Sequence, residues 1–137
     1  MNTANCYVIN APGTYKLPCV YGNAIKNGAT NKSAFTSTKP GSRWLSQFVK
    51  YDDTAITDPW IDCANAYGNE QKCEIVWQDV EGLLSNLQLT GSKQNGFYLQ
   101  FKINQNKMHQ GNALIAITDN HKNRPTILWS WHIWVTD

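Results

Sequence analysis

Phe97-Tyr98-Leu99-Gln100-Phe101-Lys102-Ile103 alternates apolar and polar or amphipathic residues without a break. Successive side chains of a strand point to opposite faces, so this run buries Phe97, Leu99, Phe101 and Ile103 and turns Tyr98, Gln100 and Lys102 outward. A helix would spread the same apolar residues around its circumference. The stretch is therefore a half-buried β-strand. Just before it, Gly91-Ser92-Lys93-Gln94-Asn95-Gly96 carries the residues of a tight turn, which predicts a hairpin with a shorter strand over 83–90.

The same period of two recurs on both sides. Residues 6–9 form a short strand, and Asn10-Ala11-Pro12-Gly13 is a turn leading into a strand over 14–20. There Tyr15, Leu17 and Cys19 share a face, and Pro18 implies an edge or a bulge. Residues 73–79 read as a strand with Cys73, Ile75 and either Val76 or Trp77 inward. Residues 113–118 are a continuous apolar run suited to a central strand, and 104–111 is polar, with room for one helical or 3₁₀ turn. The last strand, over 126–136, ends in Trp129-Ser130-Trp131-His132-Ile133-Trp134-Val135-Thr136-Asp137, which holds three of the six tryptophans. Large aromatic and β-branched residues at this density favour a largely buried pleated surface.

Short strands joined by short turns, with no helical period, predict an all-β fold. The expected architecture is a single antiparallel β-sandwich over 1–137, Ig-like, with six to eight strands. Residues 22–62 are the exception, a loop-rich insertion of 41 residues containing Trp44, Phe48 and Trp60. Structureless loops of that length are rare in compact domains, so at least one short element, over 44–49, and aromatic anchors are expected there.

At 137 residues the chain is long enough to bury a core without metal or disulfide staples. Charged residues make up 16%, below the usual ~25%, and polarity comes from fifteen asparagines and eight glutamines, as suits turns and extracellular β-proteins. The twelve basic residues are scattered singly, and the two arginines, Arg43 and Arg124, stand far apart. Nucleic-acid binding, which needs a basic patch making several phosphate contacts, is excluded on that ground. No apolar run approaches a membrane span, and Met1-Asn2-Thr3-Ala4-Asn5 lacks the features of a signal peptide. An export signal and further domains are therefore expected outside the sequence.

Candidate chemistry is sparse. Cys6, Cys19, Cys63 and Cys73 could pair in three ways. Cys63 and Cys73 flank a short polar loop, and Cys6 and Cys19 would face each other if their strands formed a hairpin. The alternative for Cys6 is a small buried apolar residue. His109, His121 and His132 belong to no motif, and alternation puts His132 on one face with Leu128, Ser130 and Trp134. Asp52, Asp53, Asp58 and Asp62 are a candidate calcium cluster, read equally well as turn and cap residues. Asp79 and Glu81 are the only carboxylate pair suggesting a glycosidase. No nucleophile elbow, phosphate loop or local Cys-His signature is present, so no cofactor, metal or catalytic residue is assigned. Trp44, Trp60 and Trp134 are the candidate ligand platforms, because exposed aromatic rings stack on sugars; otherwise they fill the core or an interface.

The stretches Thr3-Ala4-Asn5-Cys6-Tyr7-Val8-Ile9-Asn10-Ala11-Pro12-Gly13-Thr14-Tyr15, Val20-Tyr21-Gly22-Asn23, Trp77-Gln78-Asp79, Gly111-Asn112-Ala113 and the closing residues 129–137 resemble a module of gut Bacteroidales surface proteins. That module is found in or beside fimbrillin-like and other large cell-envelope polypeptides. The resemblance covers most of the chain except residues 24–72, and Cys19, Cys63 and Cys73 lie outside its pattern. It implies a fimbrillin-like, exported, non-catalytic structural or adhesive module, with no catalytic residues to carry over. Its expected setting is extracellular or on the outer-membrane surface, where cysteines can be oxidised. Its expected partners are neighbouring domains of the same polypeptide and a host or dietary glycan or protein, and a carbohydrate-binding module is the alternative.

Overall fold

The computed structural model of the protein describes residues 1–36, 48–63, 71–119 and 126–136. Among them are nine strands and no α-helix: β1 (Cys6–Ile9), β2 (Gly13–Pro18), β3 (Ile25–Lys26), β4 (Ala29–Thr30), β5 (Gln71–Gln78), β6 (Ser85–Ser92), β7 (Gly96–Ile103), β8 (Gly111–Asp119) and β9 (Thr126–Val135). The fold is all-β. The alternating run is β7, the middle of a three-stranded antiparallel sheet ordered β2-β7-β6. Leu99, Phe101 and Ile103 are buried, as the alternation predicts, while Phe97 is only half-buried. β2 is an edge strand that ends on Pro18, where the missing N–H costs no ladder bond.

The second sheet has the order β1-β9-β8-β5. β8 pairs antiparallel with both neighbours, but β1 runs parallel to β9, with Cys6 opposite His132 and Val8 opposite Trp134. The expectation of wholly antiparallel sheets therefore fails at β1. A parallel partner needs a long connection, and here almost the whole chain lies between the two strands. The expected hairpin of Cys6 and Cys19 fails for the same reason. Residues 10–12 carry the chain from one sheet to the other, so Cys6 is exposed while Cys19 is fully buried.

Inward residues of both sheets belong to one buried cluster. Leu17, Leu99, Phe101 and Ile103 come from the smaller sheet, and Ile115, Ile117, Trp131, Ile133 and Val135 from the larger. Each such side chain contributes roughly 1.5–3 kcal/mol of transfer free energy, so this cluster is the main source of stability. In β5 the register slips between Ile75 and Trp77. The slip leaves Ile75 opposite Ile115 and turns Trp77 outward beside Leu114, so both Val76 and Trp77 are exposed rather than one facing inward.

The described part of 22–62 is a set of small tied elements. Asn27 (φ 52°) and Gly28 (φ 77°) close the two-residue β3–β4 hairpin, a conformation that favours an Asn-Gly pair. Thr3 fixes this hairpin to the body: its N–H donates to Ile25 O at 3.0 Å, and its hydroxyl accepts from Ile25 N at 3.1 Å. Further on, Tyr21 N donates to Pro59 O at 3.0 Å and Ile61 N to Cys19 O at 2.9 Å, while Val20 bridges Trp60. Trp60 is an anchor of the segment, as expected. Phe48 is 61% exposed and is not, and most of the expected 44–49 element lies outside the described residues.

Candidate functional site

The outer face of the four-stranded sheet carries two transverse rows set by the strand register. One is Cys6, His132, Leu114 and Trp77, and the next is Val8, Trp134 and Asn112. Alternation places all of these opposite the buried Trp131, Ile133 and Ile115. Val8 is 61%, Trp134 46% and Trp77 45% exposed. This is a large share of apolar surface for a sheet whose other face fills the core.

Polar groups on this face are linked in one chain. Cys6 Sγ lies 3.3 Å from His132 Nδ1, and His132 Nε2 lies 2.7 Å from Asn112 Oδ1. The Asn112 side-chain amide donates to Asp79 Oδ2 at 3.0 Å, and the Asn112 backbone N–H donates to the same oxygen at 2.8 Å. An ionised carboxylate only accepts, so Asn112 must present Nδ2 to Asp79 and Oδ1 to His132. The imidazole then carries its hydrogen on Nε2. Nδ1 is left as an acceptor facing the thiol. The four residues come from four strands or their ends: β1, β9, β8 and the residue after β5.

A second site surrounds Trp60. A groove of ≈ 570 Å³ is lined by Trp60, Lys50, Asp58, Asp62, Lys93 and Asn95, among others. Trp60 is half-buried, and its ring meets Tyr98 edge to face at 5.8 Å. Its backbone N–H donates to Asp58 Oδ1 at 2.8 Å, an Asx-type turn that fixes the chain under the indole. One aromatic wall with charged and amide groups around it suits a polar ligand that also offers an apolar face.

Of the three expected tryptophan platforms, the two described ones are apart. Trp60 lines the groove, Trp134 stands on the outer sheet face, and Trp44 lies outside the described residues. Of the four aspartates, Asp58 and Asp62 line the groove together. Asp52 accepts from both the N–H and the hydroxyl of Thr54, at 3.1 and 2.6 Å, and these bonds hold its carboxyl below the usual range. Asp53 sits at a positive φ, and no group of three metal-ligating side chains forms among the described residues. Asp79 is engaged by Asn112, and Glu81 is exposed in the turn after β5. His109 is exposed, and His121 lies outside the described residues.

All four cysteines carry free thiols. Cys19 and Cys63 are both buried, and the Cys63 thiol beside Cys19, followed by burial, drives the Cys19 thiol far above its ordinary range. Cys63 is thus a direct neighbour of Cys19, and Cys73 also lies near enough to act on it. Sequence reading did not find the Cys6–His132–Asn112 chain because its contacts span 126 and 20 residues. Alternation gave the shared face of His132 and Trp134 but wrongly added Leu128, which is buried where the β8–β9 register slips between Ile117 and Thr118, and the missing piece was that β1 docks parallel on β9. Comparison with protein families, with curated proteins and with solved structures found no match.

Proposed function

We propose that the chain is a structural or adhesive module of an exported bacterial surface protein, an Ig-like or fimbrillin-like β-sandwich that docks on neighbouring domains of the same polypeptide. The observation that carries this reading is the outer face of the four-stranded sheet. Val8, Trp134 and Trp77 stand exposed there, on a sheet whose terminal strand, unpaired on its far side among the described residues, is β1. Clustered exposed apolar residues mark contact surfaces, and an open strand edge adds unpaired backbone groups. Amide hydrogen exchange on this chain alone and within its longer polypeptide tests the reading. Residues 6–9 and 130–135 should gain protection in the longer protein; equal exchange in both would discard docking through this face.

A second reading, a carbohydrate-binding module, is favoured by the Trp60 groove. An indole wall with Asp58, Asp62, Lys93 and Asn95 within the same cleft offers stacking and hydrogen bonds to one sugar ring. Tryptophan fluorescence titrated with a panel of soluble polysaccharides should respond in the native chain and not in Trp60→Ala. A silent native chain rejects this reading.

A further inference from the structure

The hydrogen-bonded chain on the outer sheet face runs in one direction. Starting from the Asp79 carboxylate, each acceptor fixes the donor of the next group: Asn112 Nδ2–H, then His132 Nε2–H, then the Cys6 thiol facing the free lone pair of Nδ1. Proton transfer from sulfur to Nδ1 leaves an imidazolium whose Nε2–H keeps its bond to Asn112 Oδ1. Cys-His-Asn arrangements with these roles recur on unrelated folds and are recognised by geometry rather than chain order.

Access completes the arrangement. Cys6 is exposed and β1 is the terminal strand of its sheet. His132 N donates to Asn5 O at 2.8 Å, the parallel-ladder bond that directs the N–H of Cys6 itself away from β9 and toward the open edge. A backbone donor therefore stands beside the thiol on the side from which an extended chain would approach.

We propose that Cys6 is the nucleophile of an acyl-transfer site, with His132 as its base and Asn112, held by Asp79, as the residue that positions the imidazole; the substrate is an ester or amide presented at the β1 edge. The thiol proton moves to His132 Nδ1 as the sulfur pair forms the S–C bond and the carbonyl pair moves onto oxygen, which the Cys6 N–H can meet. Collapse breaks the C–O or C–N bond, and the leaving group takes the proton from Nδ1. Water then gives a proton to Nδ1 and its hydroxyl to the acyl carbon, the C–S bond breaks, and the thiolate recovers that proton. This chemistry does not rest on the docking role and competes with it, because it needs open the β1 edge that docking would cover; the isolated chain separates the two.

Three measurements on the isolated chain test it. With iodoacetamide, Cys6 in the native protein should be alkylated at least about tenfold faster than in a synthetic peptide of residues 1–13, and His132→Gln should remove that advantage. An equal rate in protein and peptide overturns the proposal without needing any variant to fold. With 4-nitrophenyl acetate, nitrophenolate release should accompany an acetyl group found on Cys6 by peptide mass spectrometry and be lost in Cys6→Ser. Fast alkylation without acetyl transfer, or acetyl on another residue, overturns acyl transfer. The ¹⁵N shifts of His132 should report hydrogen on Nε2 in the native chain and lose that signature in Asn112→Ala with an unchanged melting curve; hydrogen on Nδ1 overturns the assigned roles.

Discussion

Trp60 lies so close over Gly96 that a Cβ on the glycine would stand 2.8 Å from two atoms of the indole ring. Gly96 also has φ +84°, in the region where side chains are strained. The turn glycine at the start of β7 is thus the floor on which the groove tryptophan rests. Gly96→Ala should cost about 1–3 kcal/mol through strain and displacement of Trp60. Urea unfolding gives the loss, and an altered emission maximum of the folded state reports the moved indole. A midpoint within error of the native protein would contradict this packing.

Trp131 is 1% exposed, and its Nε1–H is buried without a hydrogen-bond partner among the described residues. An unpaired buried donor costs roughly 1–3 kcal/mol, which offsets part of what the ring contributes by packing. Trp131→Phe should therefore destabilise by no more than about 1–2 kcal/mol, while Trp131→Ala, which also opens a cavity, should cost about 3–5 kcal/mol. Denaturant midpoints of the two variants check the contrast. Equal losses would mean that the indole N–H carries no penalty.

Trp77 tests the slip in β5. Turned outward and 45% exposed, it should tolerate Trp77→Ser within about 0.5 kcal/mol in thermal unfolding. An inward Trp77 would cost several times that amount, so a loss above about 3 kcal/mol would place the indole in the core.

Tyr21 meets Trp129 edge to face at 5.1 Å, and burial, reinforced by the nearby Cys63, Asp52 and Asp62, pushes its phenol up to about 12. Its folded value lies above the unfolded value near 10, so the folded state binds the proton more tightly. Stability from this group is intact below about pH 10 and is lost as pH rises toward about 12. Melting temperatures of the native chain should fall across that window more steeply than those of Tyr21→Phe. Parallel curves would show that Tyr21 ionises alike in both states.

The strands were legible because period-two alternation is a local property. Residues 6–9, 97–103 and 126–136 read directly as β1, β7 and β9 within a residue or so at each end. Leu83 and Leu84 look like strand residues by apolarity, but both are buried in the turn before β6. The β3–β4 hairpin is not legible in the sequence although Asn27-Gly28 is a strong turn pair, because two-residue strands leave no alternation to read. Trp77 was ambiguous because one extra residue reverses every later side chain, and a bulge leaves no mark in composition.

By itself the sequence determined where the longer strands lie, that Leu99, Phe101 and Ile103 of β7 face inward, and that an aromatic-rich closing strand belongs to the core. Only the tertiary structure decided that β1 lies parallel to β9, and with that which side chains meet across the sheet. The physical reason is range: alternation follows from bonds between adjacent residues, whereas pairing of strands at opposite ends of the chain follows from the burial of their faces in one core. Cys6, His132 and Asn112 are three unremarkable residues in the linear order, and the docking of three strands makes them neighbours.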